Sequence, residues 1–358
     1  MIIKSIRFKN FFSFRDCKVE LNNLNALIGI NGSGKSNFIK AIKLLKATVT
    51  EGAFADLILN QWGGFDAIFF AGINDETEKI FELEFEFEEL SYCIRVAKVS
   101  AIQNYNISEI IATPKNKYNF DNNTESILCQ MVDTNRCDEV FVLRDIIKNI
   151  AIYNIFDTTA NSAIRKPMLS TGVSARLNSD GGNLTSILNR IKINSKSNYN
   201  KIVDSLQTIN PKYNGFDFNF IGGNIELMLD EKGFDKSIHV THISDGTLKF
   251  LCLLAIIHNP ERGTIVCIDE PENGLHPDMI REFVDSMNNV SNETQFIIST
   301  HSDHILNNLS VENVLVCEKD DDNGTIINTF RDKDFVEWAA QYSTGKLWRN
   351  GDLGGNRY

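Results

Sequence analysis

The chain has 358 residues and a formal net charge of −11, with 42% hydrophobic and 23% charged residues. That length and composition fit a folded protein with a sizeable core and more than one subdomain. The acidic balance excludes a surface coated in positive charge for nucleic acid, and the longest apolar run, 251–257, is too short to span a bilayer.

The opening IIKSIRFKNFFSFRDCKVEL predicts two short strands with a bend around 10–13. NLNALIGI follows as a buried strand, then a Gly-rich turn, then an amphipathic helix, NFIKAIKLLKAT. IFELEFEF (80–87) sets Phe81, Leu83, Phe85 and Phe87 against Glu82, Glu84 and Glu86, the pattern of a half-buried antiparallel strand. Residues 100–130 are polar, Asn-rich and poorly periodic, and are expected as loops. EVFVLRDIIKNIAIYNIF (139–156) reads as a helix, and NLTSILNRI (183–191) as another, entered through the turn SDGG. FDFNFIGGNIELML (216–229) reads as a hairpin turning at Gly222-Gly223. HISDGTLKFLCLLAII (242–257) is an apolar helix capped at Ser244. GTIVCID (263–269) and QFIIST (295–300) are strands buried on both faces. A hairpin around Asn323-Gly324 and the segment TGKLWRNGDLGGNRY come last. Strands alternating with helices imply an α/β chain with a sheet covered on both sides.

Two basic clusters stand out, Lys4, Arg7, Lys9, Arg15 and Lys18, and Lys192, Lys196 and Lys201; each alone reads as a solvated face. Seven scattered cysteines without CxxC or zinc spacing are expected as free thiols in a reducing cytoplasm, and no signal-peptide pattern opens the chain.

GINGSGKS (29–36) fits the phosphate-loop pattern in full. Gly29, Gly32 and Gly34 let the backbone wrap a phosphate with its N–H groups, Lys35 would reach the β- and γ-phosphates, and Ser36 would hold Mg²⁺. A chance Gly-rich turn is the plain alternative, disfavoured by the strand before and the helix after. IVCIDEPE (265–272) delivers Asp269, suited to Mg²⁺, and Glu270, suited to polarising an attacking water. A second strand ends in STHS, where His301 is either a γ-phosphate sensor or a structural hydrogen-bonder. The end of the Ser244 helix, with Gly246 in its first turn, is a second place that suits an anion.

Together, IRFKNFFSF, GINGSGKSN, SDGTLKFL, IDEPENGLHP and STHSDHIL resemble the ABC-type ATPase heads of the RecF/SMC class. SDGGNL (179–184) and GKLWRNGDLGGNR resemble, more narrowly, a group of small bacterial RecF-like predicted ATPases. The resemblance implies an α/β, ABC-type P-loop ATPase head with a mixed sheet, an N-terminal antiparallel β layer and an inserted helical lobe. It implies a division into 1–98, with the phosphate loop and antiparallel strands; 99–214, a mostly helical insertion; and 215–358, with signature, Walker B, H-loop and tail. ATP and Mg²⁺ are the implied cofactors. Lys35, Glu270 and His301 are then catalytic, and Ser36 and Asp269 bind the metal. Asn31, Gly32, Ser33, Gly34, Lys35, Ser36 and Asn37 contact the nucleotide, and Ser244 and Gly246 contact the ATP held by the opposite subunit. Residues 272–277 stand where the family's D-loop crosses the dimer interface.

The chain departs from the family pattern at Asp245, where other ABC proteins have Gly, and at Phe12, where some relatives carry a basic residue; whether Arg15 substitutes is open. The Q-loop glutamine is one of Gln61, Gln103 and Gln130. There is no heptad run for a coiled coil, and VCEKDDD and RDKDF read as an acidic hairpin turn rather than as Toprim metal ligands. The function implied is a cytoplasmic ATPase switch. It forms a homodimer through an ATP sandwich and controls a separate effector, a nuclease or toxin, in anti-phage defence, without a membrane. The alternative is a RecF-like ATPase that binds duplex DNA in repair or recombination.

Overall fold

The computed structural model describes residues 1–71, 79–99, 105–130, 138–170, 174–320 and 324–355. They form two compact units, one from Met1–Ile150, Ser310–Tyr342 and Lys346–Tyr358, the other from Ala151–Leu309 and Ser343–Gly345.

The first unit is built on a mixed sheet. Strands Ser5–Phe11 and Phe14–Glu20 form a tight hairpin whose bend places Asn10 and Phe12 at positive φ, 52° and 49°. Strand Ile80–Glu86 pairs with the other edge of Ser5–Phe11 and alternates as expected: Phe81, Leu83 and Phe85 are buried, while the glutamates face outward. Ser91–Lys98, Tyr105–Ala112 and Lys117–Asn123 extend this layer, all antiparallel.

The stretch 105–123 is therefore a hairpin and not the loops its composition suggests. Its inward positions are Ile107, Glu109 and Ile111, so a buried carboxyl interrupts the apolar period. Glu109 is satisfied by the Tyr92 hydroxyl, the Ser126 hydroxyl and the Ile127 N–H, each at 2.6 Å. Burial pushes its carboxyl above the usual range.

On the other flank, the buried strand Leu24–Ile28 lies parallel to Val314–Asp320, which turns back antiparallel into Gly324–Thr329. The tip of that hairpin, including Asn323, falls outside the described residues, as do Gln103 and Cys137. Helix Lys35–Ala47 follows the Gly-rich turn and buries Phe38, Ile39, Ile42, Leu44 and Leu45 on one face. The Phe38 ring meets Phe8 at 5.4 Å, and Phe8 stacks on Phe14 at 4.3 Å.

The second unit holds parallel strands Ile265–Asp269 and Gln295–Ser299, buried on both faces up to Asp269. Helix Asp245–His258 is buried throughout from Phe250 to His258, which explains its apolar run. Helices Leu184–Asn194 and Lys196–Ile209 pack beside the hairpin Tyr213–Ile221/Asn224–Glu231, whose turn glycines Gly222 and Gly223 sit at φ 56° and 86°. The single helix expected over 139–156 is two elements, helix Asp138–Lys148 and strand Ile150–Tyr153. Ile-Ala-Ile-Tyr is a short apolar run, and such runs do not distinguish strand from helix by period.

His258 closes the buried helix at 6% exposure, and its Nε2 has no hydrogen-bond partner. Burial, with Lys201 and Arg262 adding to it, pushes its imidazole down to about 4. Because the folded-state value lies below the unfolded one, the native state loses stability as pH falls from the unfolded value toward the folded one. Relative to His258→Phe, the wild type is expected to lose about 2 kcal/mol between pH 7 and pH 5. Urea unfolding at the two pH values measures this, and parallel curves for the two proteins would exclude it.

Candidate functional site

The first unit presents the loop 29–36 between a buried strand and a helix. Gly29, Gly32 and Gly34 all have positive φ, 139°, 80° and 112°. Gly29 and Gly34 have a second constraint. A Cβ on Gly29 would lie 2.3 Å from the Cys317 carbonyl oxygen, and one on Gly34 would lie 2.3 Å from Thr325 Oγ1. The loop thus lies directly against the hairpin of strands 314–320 and 324–329. The Thr325 hydroxyl donates to the Ser33 carbonyl at 2.8 Å and sits 2.7 Å from Ser13 Oγ, to which Asn37 Nδ2 also donates at 2.9 Å.

Lys35 is 7% exposed, and its Nζ donates to the Gly29 and Ile30 carbonyls at 2.7 and 3.1 Å. Asn31, Gly32 and Ser36 are exposed, and nothing lies within 4 Å of a Cβ placed on Gly32. The helix that starts at Lys35 has no side-chain cap, and Ser33 Oγ is buried without a partner. Uncapped N–H groups, an inward lysine and an orphan hydroxyl fit a polyphosphate. The Ser36 hydroxyl and the Asp269 carboxylate are hard oxygen donors of the type Mg²⁺ prefers.

Beside this loop the structure places a residue that sequence reading passed over. Lys40 Nζ stands 3.8 Å from the centre of the Phe12 ring and 5.9 Å from that of Trp62. Burial, with Lys43 adding, lowers its pKa. A cation from the helix therefore covers the Phe12 ring.

The second unit brings Asp269, Glu270 and His301 together at the ends of its two parallel strands. The Ser299 hydroxyl donates to Asp269 Oδ1. Glu270 adopts φ 48°, a conformation uncommon for a non-glycine residue, with its N–H donated to the Ser299 carbonyl at 3.0 Å. Asn273 Nδ2 donates to Glu270 Oε2 at 2.7 Å, and His301 Nε2 lies 3.9 Å from Glu270 Oε1. A half-exposed carboxylate held at one oxygen by Asn273, with an imidazole alongside, can orient and polarise water.

Glu272, unremarked in the sequence except as part of 272–277, underlies this arrangement. Its Oε1 accepts from the Thr300 hydroxyl and the His301 N–H, both at 2.8 Å, and its Oε2 is buried without a partner. Burial raises its carboxyl pKa, opposed by these hydrogen bonds.

Ser244 is the N-cap of helix Asp245–His258, accepting from the Thr247 N–H at 3.2 Å. Ser244 and Asp245 are exposed while the helix behind them is buried. The 272–277 loop crosses this helix end: a Cβ on Gly246 would lie 3.1 Å from the Gly274 carbonyl oxygen, and Lys249 Nζ donates to the Asn273 carbonyl at 3.2 Å. Gln61 and Gln130 both bond within the first unit, to Asp56 and to the Glu125 carbonyl, so neither stands out as a Q-loop residue.

Fold and motifs define an ABC-type ATPase head of the RecF/SMC kind. The chain belongs to the family described as "AAA domain, putative AbiEii toxin, Type IV TA system", which matches residues 24–92 and 145–307 and so includes the phosphate loop, Ser244, the acidic strand and His301. A stretch of 116 residues is 29% identical to the DNA replication and repair protein RecF of Lactococcus lactis subsp. cremoris strain MG1363, covering 32% of this chain and 31% of RecF. RecF of strain SK11 matches to the same extent. The likeness thus spans about a third of those relatives. Among solved structures, an SMC head bound to the C-terminal winged-helix domain of ScpA superposes with a TM-score of 0.56 at 14% identity, covering 93% of this chain and 99% of that one. The SMC head from Pyrococcus furiosus with an extended coiled coil, bound to the C-terminal domain of ScpA, gives 0.55 at 13% identity, covering 95% and 98%. At such identities the likeness is one of fold. Among the described residues no helix is long and apolar enough to cross a membrane.

Glu272→Ala removes two accepted hydrogen bonds and is expected to cost about 2 kcal/mol of stability, while Glu272→Gln, which keeps the accepting oxygen without the buried charge, should stay within about 1 kcal/mol of wild type. Chemical denaturation measures both, and equal losses would mean that the carboxylate charge itself is required.

Proposed function

We propose that this protein is a Mg²⁺-dependent ATPase that dimerises around ATP and acts as a switch for a separate effector. In this reading Asn31–Asn37 bind the phosphates, with Lys35 on the β- and γ-groups. Ser36 and Asp269 would hold Mg²⁺, which neutralises phosphate charge when bound. Glu270 polarises the attacking water, and His301 orients it and senses the γ-phosphate. Hydrolysis would release the dimer.

The observation that carries the dimer is the open end of an otherwise buried helix. From Phe250 to His258 every residue is buried, yet Ser244 and Asp245 face solvent, with the 272–277 loop laid against Gly246. A helix end kept open in this way suits a phosphate brought by a second copy, in a closed C2 arrangement.

The effector reading, with a nuclease or toxin as the controlled partner in bacterial anti-phage defence, draws on the toxin–antitoxin system named in the family description. It also draws on the N-terminal basic cluster. Lys4, Arg7, Lys9 and Lys18 are all paired, with Glu88, Asp16, Glu82 and Glu86 at 3.8, 2.9, 2.8 and 2.9 Å. A cationic face already matched by its neighbouring strands has less to offer a DNA backbone. The second reading, a RecF-like ATPase acting on duplex DNA, rests on the RecF likeness and would be favoured by a DNA affinity that falls steeply with salt. We place the protein in the cytoplasm on its scattered cysteines, which form no disulfide among the described residues.

Glu270→Gln is expected to trap a dimer in ATP, and Ser244→Arg to remain a monomer at every ATP concentration. Light scattering with and without Mg-ATP measures both, and one unchanging mass for the two variants would end the sandwich reading.

A further inference from the structure

Asp245 is the one acidic residue in the first turn of the Ser244-capped helix, and its side chain is 66% exposed. An aspartate suits the positive end of a helix, but it opposes any polyphosphate arriving there. The structure supplies a counter-charge from far along the chain. Arg165, in the short turn Ala163–Arg165, has a side chain only 8% exposed, and its Nη2 donates to Asp245 Oδ1 at 2.6 Å. The rest of the guanidinium is spent on backbone. Nε donates to the Thr158 carbonyl at 2.8 Å, and Nη1 to the Val240 and Ile243 carbonyls at 2.8 and 2.9 Å.

One buried cation thus binds both the segment leading into the helix and the acidic side chain that opens it. The turn that carries Arg165 is itself backed by the SDGG stretch. A Cβ on Gly182 would lie 3.0 Å from Ala163 Cβ, so a glycine there permits the approach. This gives the SDGG motif a structural purpose that spacing alone did not.

We propose that Arg165 is a positioning residue that neutralises Asp245 and holds its carboxylate aside, which lets Ser244 and the Gly246 backbone receive the γ-phosphate of a nucleotide held by a second copy. This deepens the ATP-sandwich reading and rests on it. A purely structural role for Arg165, pinning carbonyls 240–243, would matter equally whatever stands at position 245. A neutralising role matters only while the aspartate is there.

The test compares the wild type, Arg165→Met, Asp245→Gly and the double variant, each folded by thermal melt, for the Mg-ATP concentration at half-maximal dimer. It is made in the Glu270→Gln background so that hydrolysis does not intervene. Arg165→Met is expected to raise that concentration at least about tenfold, as an unmatched charge beside a phosphate would. Asp245→Gly should be at or below the wild-type value, and the double variant should return to within about threefold of Asp245→Gly. An equal loss from Arg165→Met with and without Asp245 overturns the proposal, as does no loss at all. Should Arg165→Met fail to fold, Arg165→Lys, which keeps the charge but not the fork of donors, takes its place. A loss that disappears when Asp245→Gly is added supports neutralisation, and a loss that persists then overturns it. Absence of any ATP-dependent dimer in the Glu270→Gln parent would instead defeat the sandwich reading itself, before the pair is reached.

Discussion

Two glycines that cannot carry a Cβ set the geometry on which the phosphate loop depends. Gly29 faces the Cys317 carbonyl and Gly34 faces the Thr325 side chain, each at a distance no side chain would survive. The hairpin of strands 314–320 and 324–329, distant in sequence, therefore forms the wall of the loop. Thr325 fixes that wall through the Ser33 carbonyl, and Ser13 and Asn37 complete the polar seam. The loop also braces itself from within, the Ser33 N–H donating to the Ile30 carbonyl at 3.1 Å.

The second unit solves a different problem, which is how to keep several acids close together and still ready for chemistry. Asp269 is held by the Ser299 hydroxyl, Glu270 by Asn273, and Glu272 is buried against Thr300 and the His301 N–H. Each carboxylate has a different environment. Glu272 is raised by burial, while Glu270 stays half-exposed beside His301. The unusual φ of Glu270 is part of the same arrangement, since it turns the chain directly after Asp269. Arg165 does for Asp245 what these hydroxyl and amide groups do for the strand-end acids.

Local signals in the sequence were sufficient for much of this. The phosphate loop, the alternating strand 80–86, the hairpin at Gly222-Gly223, the Ser244 cap and the two buried strands all lie where residue pattern puts them, because each is decided by neighbours within a few positions. What stayed hidden depends on distant partners. Glu109 looked polar and broke a strand pattern, because its three hydrogen-bond donors come from another strand and from a following turn. The N-terminal lysines looked like a basic cluster until the register set Arg7 and Lys9 across from Glu84 and Glu82. Lys40 over Phe12, and Arg165 on Asp245, are contacts that no local period encodes.

These residues are proposed to hydrolyse ATP, with Glu270 as the group that activates water. The measurement that bears on it most directly is the rate of phosphate release from Mg-ATP by the purified wild type beside Glu270→Gln, with and without duplex DNA ends. Turnover is expected in the wild type, disappearing on removal of Mg²⁺ and falling at least about 100-fold in Glu270→Gln; stimulation by DNA would point to DNA sensing, and indifference to a protein effector. Equal rates for the two proteins, or no turnover in either, would contradict it.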